Sequence, residues 1–236
     1  LVLAGLLSSF SASATAFYVT GEAPGVLNST AGFTSVGVET FDNRSGSNGF
    51  TTDFGGAAGL GGLTGTFTGT FSVVGADQYG GAGGSNYITD NDSSFTLTLS
   101  QDVTYFGLWV SAMNDGNVVT ILDSNGNTLT TFDTASMAAL IGSNHAYYGN
   151  PSGPYAGLDS DEPFAFVNFF DQSGSFNTIQ ISGAGFESDN FTVGTFTSTS
   201  GTGVAGTASD VPEPASFAAL GMGIGGLLAA RRRRAA

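Results

Sequence analysis

Between Leu63 and Val73 the chain alternates without a break, Leu-Thr-Gly-Thr-Phe-Thr-Gly-Thr-Phe-Ser-Val, with apolar residues or glycine at odd numbers and hydroxyl residues at even ones. A period of two puts successive side chains on opposite faces of an extended backbone, so the segment predicts a strand with one buried and one wet face. Phe95-Thr-Leu-Thr-Leu99, Phe106-Gly-Leu-Trp-Val110, Ile179-Gln-Ile181 and Phe191-Thr-Val193 repeat the pattern. Residues 118–122 and 128–132 flank Asp123-Ser-Asn-Gly-Asn127, whose Asn125-Gly126 pair predicts a hairpin because both residues tolerate positive φ. Residues 164–170 are apolar on both faces, as in a central strand, and the segment from Asp133 to Ile141, stopped by Gly142, predicts a capped helix of two turns. The expected fold is an all-β, jelly-roll-like antiparallel β-sandwich.

Composition narrows the chemistry. Four of the five basic residues are Arg231, Arg232, Arg233 and Arg234, which leaves Arg44 alone against the 19 acidic residues of the whole chain, and there is no lysine. Such a surface repels phosphate backbones, so nucleic acid is excluded as an expected partner. With no cysteine, disulfides, thiolate nucleophiles and thiolate metal sites are excluded together, and 20 phenylalanines supply the core instead.

The two ends carry topology. Leu1-Val-Leu-Ala-Gly-Leu-Leu7 followed by Ala12-Ser-Ala14-Thr-Ala16 reads as the apolar region and small-residue cleavage site of a secretory signal peptide, residues 1–16, with Ala14 and Ala16 as the cleavage motif and cleavage after Ala16. The basic start of such a signal is missing, so the sequence is expected to open inside it, truncated. At the other end Pro212-Glu213-Pro214 precedes an uncharged stretch, residues 215–230, and then the arginine run. As a helix that stretch spans about 24 Å at about 1.5 Å per residue, just short of a hydrocarbon core of about 30 Å. It predicts a short transmembrane helix. Arginines set the cytoplasmic side, which leaves the acidic body outside. Residues 197–210, nearly all Ser, Thr, Gly and Ala, predict a flexible linker between a 17–196 ectodomain and the 211–236 tail.

That ordered tail, Pro212-Glu213-Pro214, apolar helix and arginine cluster, resembles the PEP-CTERM sorting domain. Glu39-Thr-Phe41-Asp42, Phe106-Gly-Leu-Trp109 with Asn114-Asp-Gly-Asn117, and Glu187-Ser-Asp189-Asn190-Phe191 resemble the ectodomains often attached to such tails. The resemblance implies a surface protein processed by exosortase near the Pro-Glu-Pro motif. Its route involves the export translocon, signal peptidase and transient membrane residence, and it ends at the cell surface or in an extracellular polysaccharide matrix. It implies no catalytic activity.

Three kinds of chemistry remain to be weighed. His145 is the single histidine, and no Gly-x-Ser-x-Gly elbow accompanies it, so a non-catalytic protein is expected. Asp123-x-Asn125-x-Asn127 starts like a calcium loop but has Thr128 where glycine is needed and Thr134 where the bidentate glutamate belongs. Asp159, Asp161 and Glu162, and the pair Asp90 and Asp92, are the calcium candidates, because clustered loop carboxylates offer hard oxygen ligands. In the long loop 142–163, Tyr147, Tyr148, Asn150 and Tyr155 combine aromatic faces with an amide and form the glycan-binding candidate. Finally, Thr64, Thr66, Thr68, Thr70 and Ser72 predict one row of hydroxyls on a strand face. An array of such rows could engage ordered water or ice, whereas a single row is an ordinary exposed face.

Overall fold

A computed structural model describes residues 17–55 and 62–205. The expected signal peptide, the sorting motif, the transmembrane helix and the arginine run all lie outside them. Two antiparallel sheets pack face to face. In the larger, β14 (Thr202–Ala205), β1 (Phe17–Gly21), β11 (Ala165–Asp171), β8 (Tyr105–Ser111) and β13 (Glu187–Ser198) lie side by side. The first residues of β13 pair onward with β6 (Tyr87–Thr89), itself paired with β5 (Ser72–Val74), and the remainder pairs with β2 (Gly32–Glu39). The smaller sheet runs β10 (Thr128–Asp133), β9 (Val118–Leu122), β12 (Phe176–Ser182), β7 (Ser94–Val103), β4 (Thr64–Gly69) and β3 (Phe50–Asp53). From β7 to β13 the chain crosses repeatedly between the sheets, which is the jelly-roll-like arrangement expected.

Period-two alternation fills the space between the sheets. Phe67, Phe95, Leu97, Ile121, Ile179 and Ile181 point inward from the smaller sheet and meet Phe106, Phe169, Phe191 and Val193 of the larger one. Phe41 sits at the centre of the aromatic packing, edge-on to Phe67 at 5.6 Å and to Phe191 at 5.3 Å. Edge-to-face contacts of this kind place a positive ring edge on a negative ring face and add to the burial of the rings.

β8 and β11 are buried along their whole length. Their inward residues join the main core, while Trp109, Phe164 and Phe166 form a second cluster with Ala82 and Ala112 on the outward face of the larger sheet. Loops, not a third sheet, cover that face.

Three local expectations are corrected. The alternating run from Leu63 to Val73 is two strands in different sheets. At Gly69, where φ is +105°, a Cβ would lie 2.6 Å from the Ser94 carbonyl, so only glycine fits and the chain turns there from β4 towards β5. Alternation persists because Phe71 is buried between the layers on either reading. In the β9–β10 hairpin, Gly126 has positive φ and Asn125 does not. Asp123 closes the turn by accepting from the amides of Asn125 and Asn127, each at 2.8 Å. Strand pairing also continues beyond residue 196: β13 runs to Ser198, and β14, inside the segment expected to be linker, pairs with β1 from Gly21 opposite Thr202 to Tyr18 opposite Ala205. Backbone pairing needs no apolar side chains, and β1 offers an otherwise open edge.

The expected helix is α1 (Thr134–Ile141). The Asp133 carboxylate caps it by accepting from the Ser136 amide at 2.8 Å, and Gly142 ends it. Among the described residues no helix is long and apolar enough to cross a membrane.

Candidate functional site

The outward face of the larger sheet gathers the buried carboxyl groups. Ser188 lies opposite Val110 and Ile88, both in the main core, so its neighbours Glu187 and Asp189 face the other way, beneath loops 75–86 and 142–163. Two acids two residues apart on one strand therefore share one face.

Asp189 is fully buried. Its Oδ2 accepts from the Ala82 amide at 2.9 Å and the Ser85 hydroxyl at 2.8 Å, and its Oδ1 accepts from the Asn190 amide at 2.6 Å. Burial outweighs these bonds and pushes its pKa up to about 7. Glu187 is raised further, to about 8, by burial and by the neighbouring Glu162, Asp90 and Asp77 carboxyls. Asp90 is buried where Gly185 and Phe186 donate their amides to its Oδ1, at 3.1 and 2.9 Å, tying the turn after β6 to the start of β13. Burial raises this carboxyl too.

Polar contacts hold the covering loops together. The Tyr87 hydroxyl donates to Asp77, 3.2 Å from each oxygen, and Asp77 Oδ1 accepts from the amides of Tyr79 and Gly80. Asn150 Nδ2 donates to the carbonyls of Asp77 and Gln78, at 3.1 and 3.3 Å, and Ser152 Oγ accepts from the Gly83 amide at 3.0 Å, so the two loops are stitched to each other.

These contacts decide what the predicted site residues do. Of the glycan candidates, Tyr147 is buried and donates its hydroxyl to the Glu22 carbonyl at 2.8 Å, while Asn150 is 2 % exposed and committed to the loop junction. Tyr148 is half-buried against the main core and Tyr155 half-buried in a short 3-10 turn. The four do not form an open aromatic platform. Tyr79 and Leu158 are instead the exposed large side chains of these loops.

Of the calcium candidates, Asp159 and Glu162 are half-buried, and both carboxyls have raised pKa values. Burial is the main cause at each, with Asp161 and Asp77 adding to it at Asp159, and Asp159 and Asp161 adding to it at Glu162. Asp161 is exposed. Among the described residues no three His, Asp or Glu side chains converge as a metal site. Asp92 is exposed beside the buried Asp90. His145 is exposed, its ring 5.9 Å from that of Tyr148.

Sequence reading did not single out Glu187, Asp189, Asp77 or Tyr87 as a group. Simple alternation would put Glu187 and Asp189 on the same face as the core residues Phe191 and Val193, but a bulge between Asp189 and Thr192, with Asn190 at φ +49°, turns the two acids to the outward face, and nothing local in the sequence marks that flip. A separate concavity of about 300 Å³ lies at the start of α1, between Asp115, Asn117 and Asp133.

Comparison with known proteins places the tail. Residues 210–234 match the family model of the PEP-CTERM protein-sorting motif. No curated protein matches the chain. Among solved structures, the enzymatically active domain of bacteriophage CBA120 tailspike protein 4 is similar at 15% identity and a TM-score of 0.18, over 72% of this chain and 18% of that one.

Proposed function

We propose that this chain, whose tail carries the PEP-CTERM sorting motif, is a non-catalytic surface or extracellular-matrix protein. In this reading the export translocon and signal peptidase deliver the body beyond the inner membrane. The apolar tail and Arg231 to Arg234 hold it there transiently, and exosortase processes it near Pro212-Glu213-Pro214. The processed body then joins the cell surface or a polysaccharide matrix.

The observation that carries the proposal is the match of residues 210–234 to the sorting motif. The fold supports it in two ways. β1 and β14 pair so that Tyr18 lies opposite Ala205, and the described body therefore begins and ends at one corner of one sheet. Both terminal signals attach at that corner, which leaves the rest of the surface free to face outward. The strongly shifted carboxyl of Asp189 is sealed beneath a loop, an arrangement that suits holding a fold together better than meeting a substrate.

The test is expression of the full chain in hosts with and without exosortase. The expected result is accumulation of unprocessed precursor in the membrane of the deficient host. Identical processing in both hosts would refute the proposal. Replacing Glu213 by alanine should reproduce the deficient phenotype in the competent host.

A further inference from the structure

The smaller sheet is the layer opposite the one in which β1 and β14 begin and end the described body. On its outer face the pairing register lines threonines up across strands: Thr51 opposite Thr66, Thr66 opposite Thr98, and Thr98 opposite Thr178. The next row sets Thr68 opposite Thr96, Thr96 opposite Gln180, Gln180 opposite Thr120, and Thr120 opposite Thr131. Every one of these side chains is exposed or half-buried. The hydroxyls of Thr51 and Thr66 lie 3.3 Å apart and share a hydrogen bond, so members of a row point the same way.

Of the row expected from sequence, Thr64, Thr66 and Thr68 lie on β4 and form one line of a two-dimensional array, whereas Thr70 and Ser72 lie beyond the turn at Gly69, Ser72 in the other sheet. The array's spacing is about 4.8 Å between strands and about 6.8 Å between alternate residues along a strand. Neither row contains a charged or aromatic side chain, although the chain carries a net charge of −14.

We propose that this face binds the surface of crystalline ice through its registered threonine hydroxyls and methyls. A partner suited to this face repeats in two dimensions, carries no charge, and offers hydrogen-bond donors and acceptors at every point. A threonine hydroxyl supplies one donor and two acceptor positions, so it can join such a lattice in either sense, although Thr178 already donates to Asn177 Oδ1 at 2.9 Å and is left with its acceptor positions. The neighbouring methyl groups fill the space between lattice positions without holding a shell of liquid water, as a carboxylate would.

A sugar chain repeats in one dimension and stacks on aromatic faces, which the rows lack. A protein partner is anchored by buried aromatic or arginine side chains, also missing here. Strand twist of roughly 20–25° per neighbour confines the flat part of the array to the central strands β4, β7 and β12. Thr66, Thr98 and Thr178 of one row, with Thr68, Thr96 and Gln180 of the next, form that patch. Contact through so small a patch adsorbs the protein to a growing crystal without halting growth outright, so slowed recrystallisation is the appropriate readout.

The experiment measures ice-grain coarsening in frozen sucrose solution containing the purified full-length chain, with serum albumin as blank. Thr96→Lys/Thr98→Lys tests the patch, and Ser124→Lys in the β9–β10 turn adds a charge elsewhere. Thr98→Val removes one hydroxyl while keeping the shape. Circular dichroism and urea midpoints verify folding. The native chain and the Ser124 variant are expected to inhibit coarsening equally. The double-lysine variant should need at least about tenfold more protein, the loss of roughly 1.4 kcal/mol of binding, and Thr98→Val should shift in the same direction.

No inhibition by the native chain would overturn the proposal, as would equal inhibition by a folded double-lysine variant. So would pull-down by insoluble polysaccharide that the same substitutions abolish while coarsening is unaffected. Because the assay uses purified protein, its failure leaves the sorting proposal standing, and failure of sorting leaves this one standing.

Discussion

Arg44 Nη2 lies 3.1 Å from Glu39 Oε2, and this is the one ion pair among the described residues. Between the two, the chain passes through Phe41 at φ +57°, a left-handed conformation that bulky residues rarely adopt. Glu39 also accepts from the Phe41 amide at 2.8 Å and from the Thr52 hydroxyl, while the Arg44 guanidinium lies 4.5 Å from the centre of the Phe50 ring. The single body cation therefore neutralises a buried carboxylate and braces the strained turn that seats the central phenylalanine.

Arg44→Ala should destabilise the protein by about 2–3 kcal/mol, because it leaves the buried Glu39 without its counter-charge, held only by the Phe41 amide and the Thr52 hydroxyl. Urea denaturation measures this. Arg44→Lys should recover only part of the loss, since an ammonium cannot reproduce the forked contact to Glu39 and Thr52 or the stacking on Phe50. Full recovery by lysine would remove the geometric part of the argument.

Stability should rise as pH falls from 8 to 5. Glu187 and Asp189 have folded-state pKa values of about 8 and about 7, above those of exposed carboxyls, so the folded protein binds more protons than the unfolded chain across this window. Their stabilising contribution is complete below the unfolded pKa values and is lost as pH climbs through the folded ones. Thermal melts at a series of pH values should register a combined gain on the order of 1–3 kcal/mol at the acid end. Glu187→Gln with Asp189→Asn should flatten that slope. An unchanged slope would assign it to other groups.

Gly69→Ala should cost about 2 kcal/mol or more, since it imposes both a positive φ and a collision with the Ser94 carbonyl. The same substitution at Gly126, where φ is also positive but nothing lies within 4 Å of the added Cβ, should cost less, about 1 kcal/mol. Comparing the two unfolding free energies isolates the steric part at the sheet switch.

Tyr147→Phe should lower stability by about 1 kcal/mol, through loss of its hydrogen bond to the Glu22 carbonyl. Any glycan affinity of the native chain should be unaffected. A selective loss of sugar binding in a folded Tyr147 variant would return that residue to a ligand role.

Alternation at Phe67, Leu97 and Ile181, the Asp133 cap and the turn at Gly126 were legible one segment at a time, because each rests on interactions within a few residues. The PEP-CTERM tail was legible for a related reason: its motif, apolar stretch and arginines act in order along the chain. Tertiary structure alone decided which strands neighbour one another, and with that the properties that belong to surfaces. It split the Leu63 to Val73 run between two sheets at Gly69, drew residues 202–205 into pairing with β1, and buried Asp189 fully and Glu187 in part under loops from distant parts of the chain. It also set Thr66 beside Thr98 and Thr178, residues with no local relation in sequence. Burial and register are sums over contacts between remote segments, so the same hydroxyl row reads as an ordinary strand face in one dimension and as an ordered array in two.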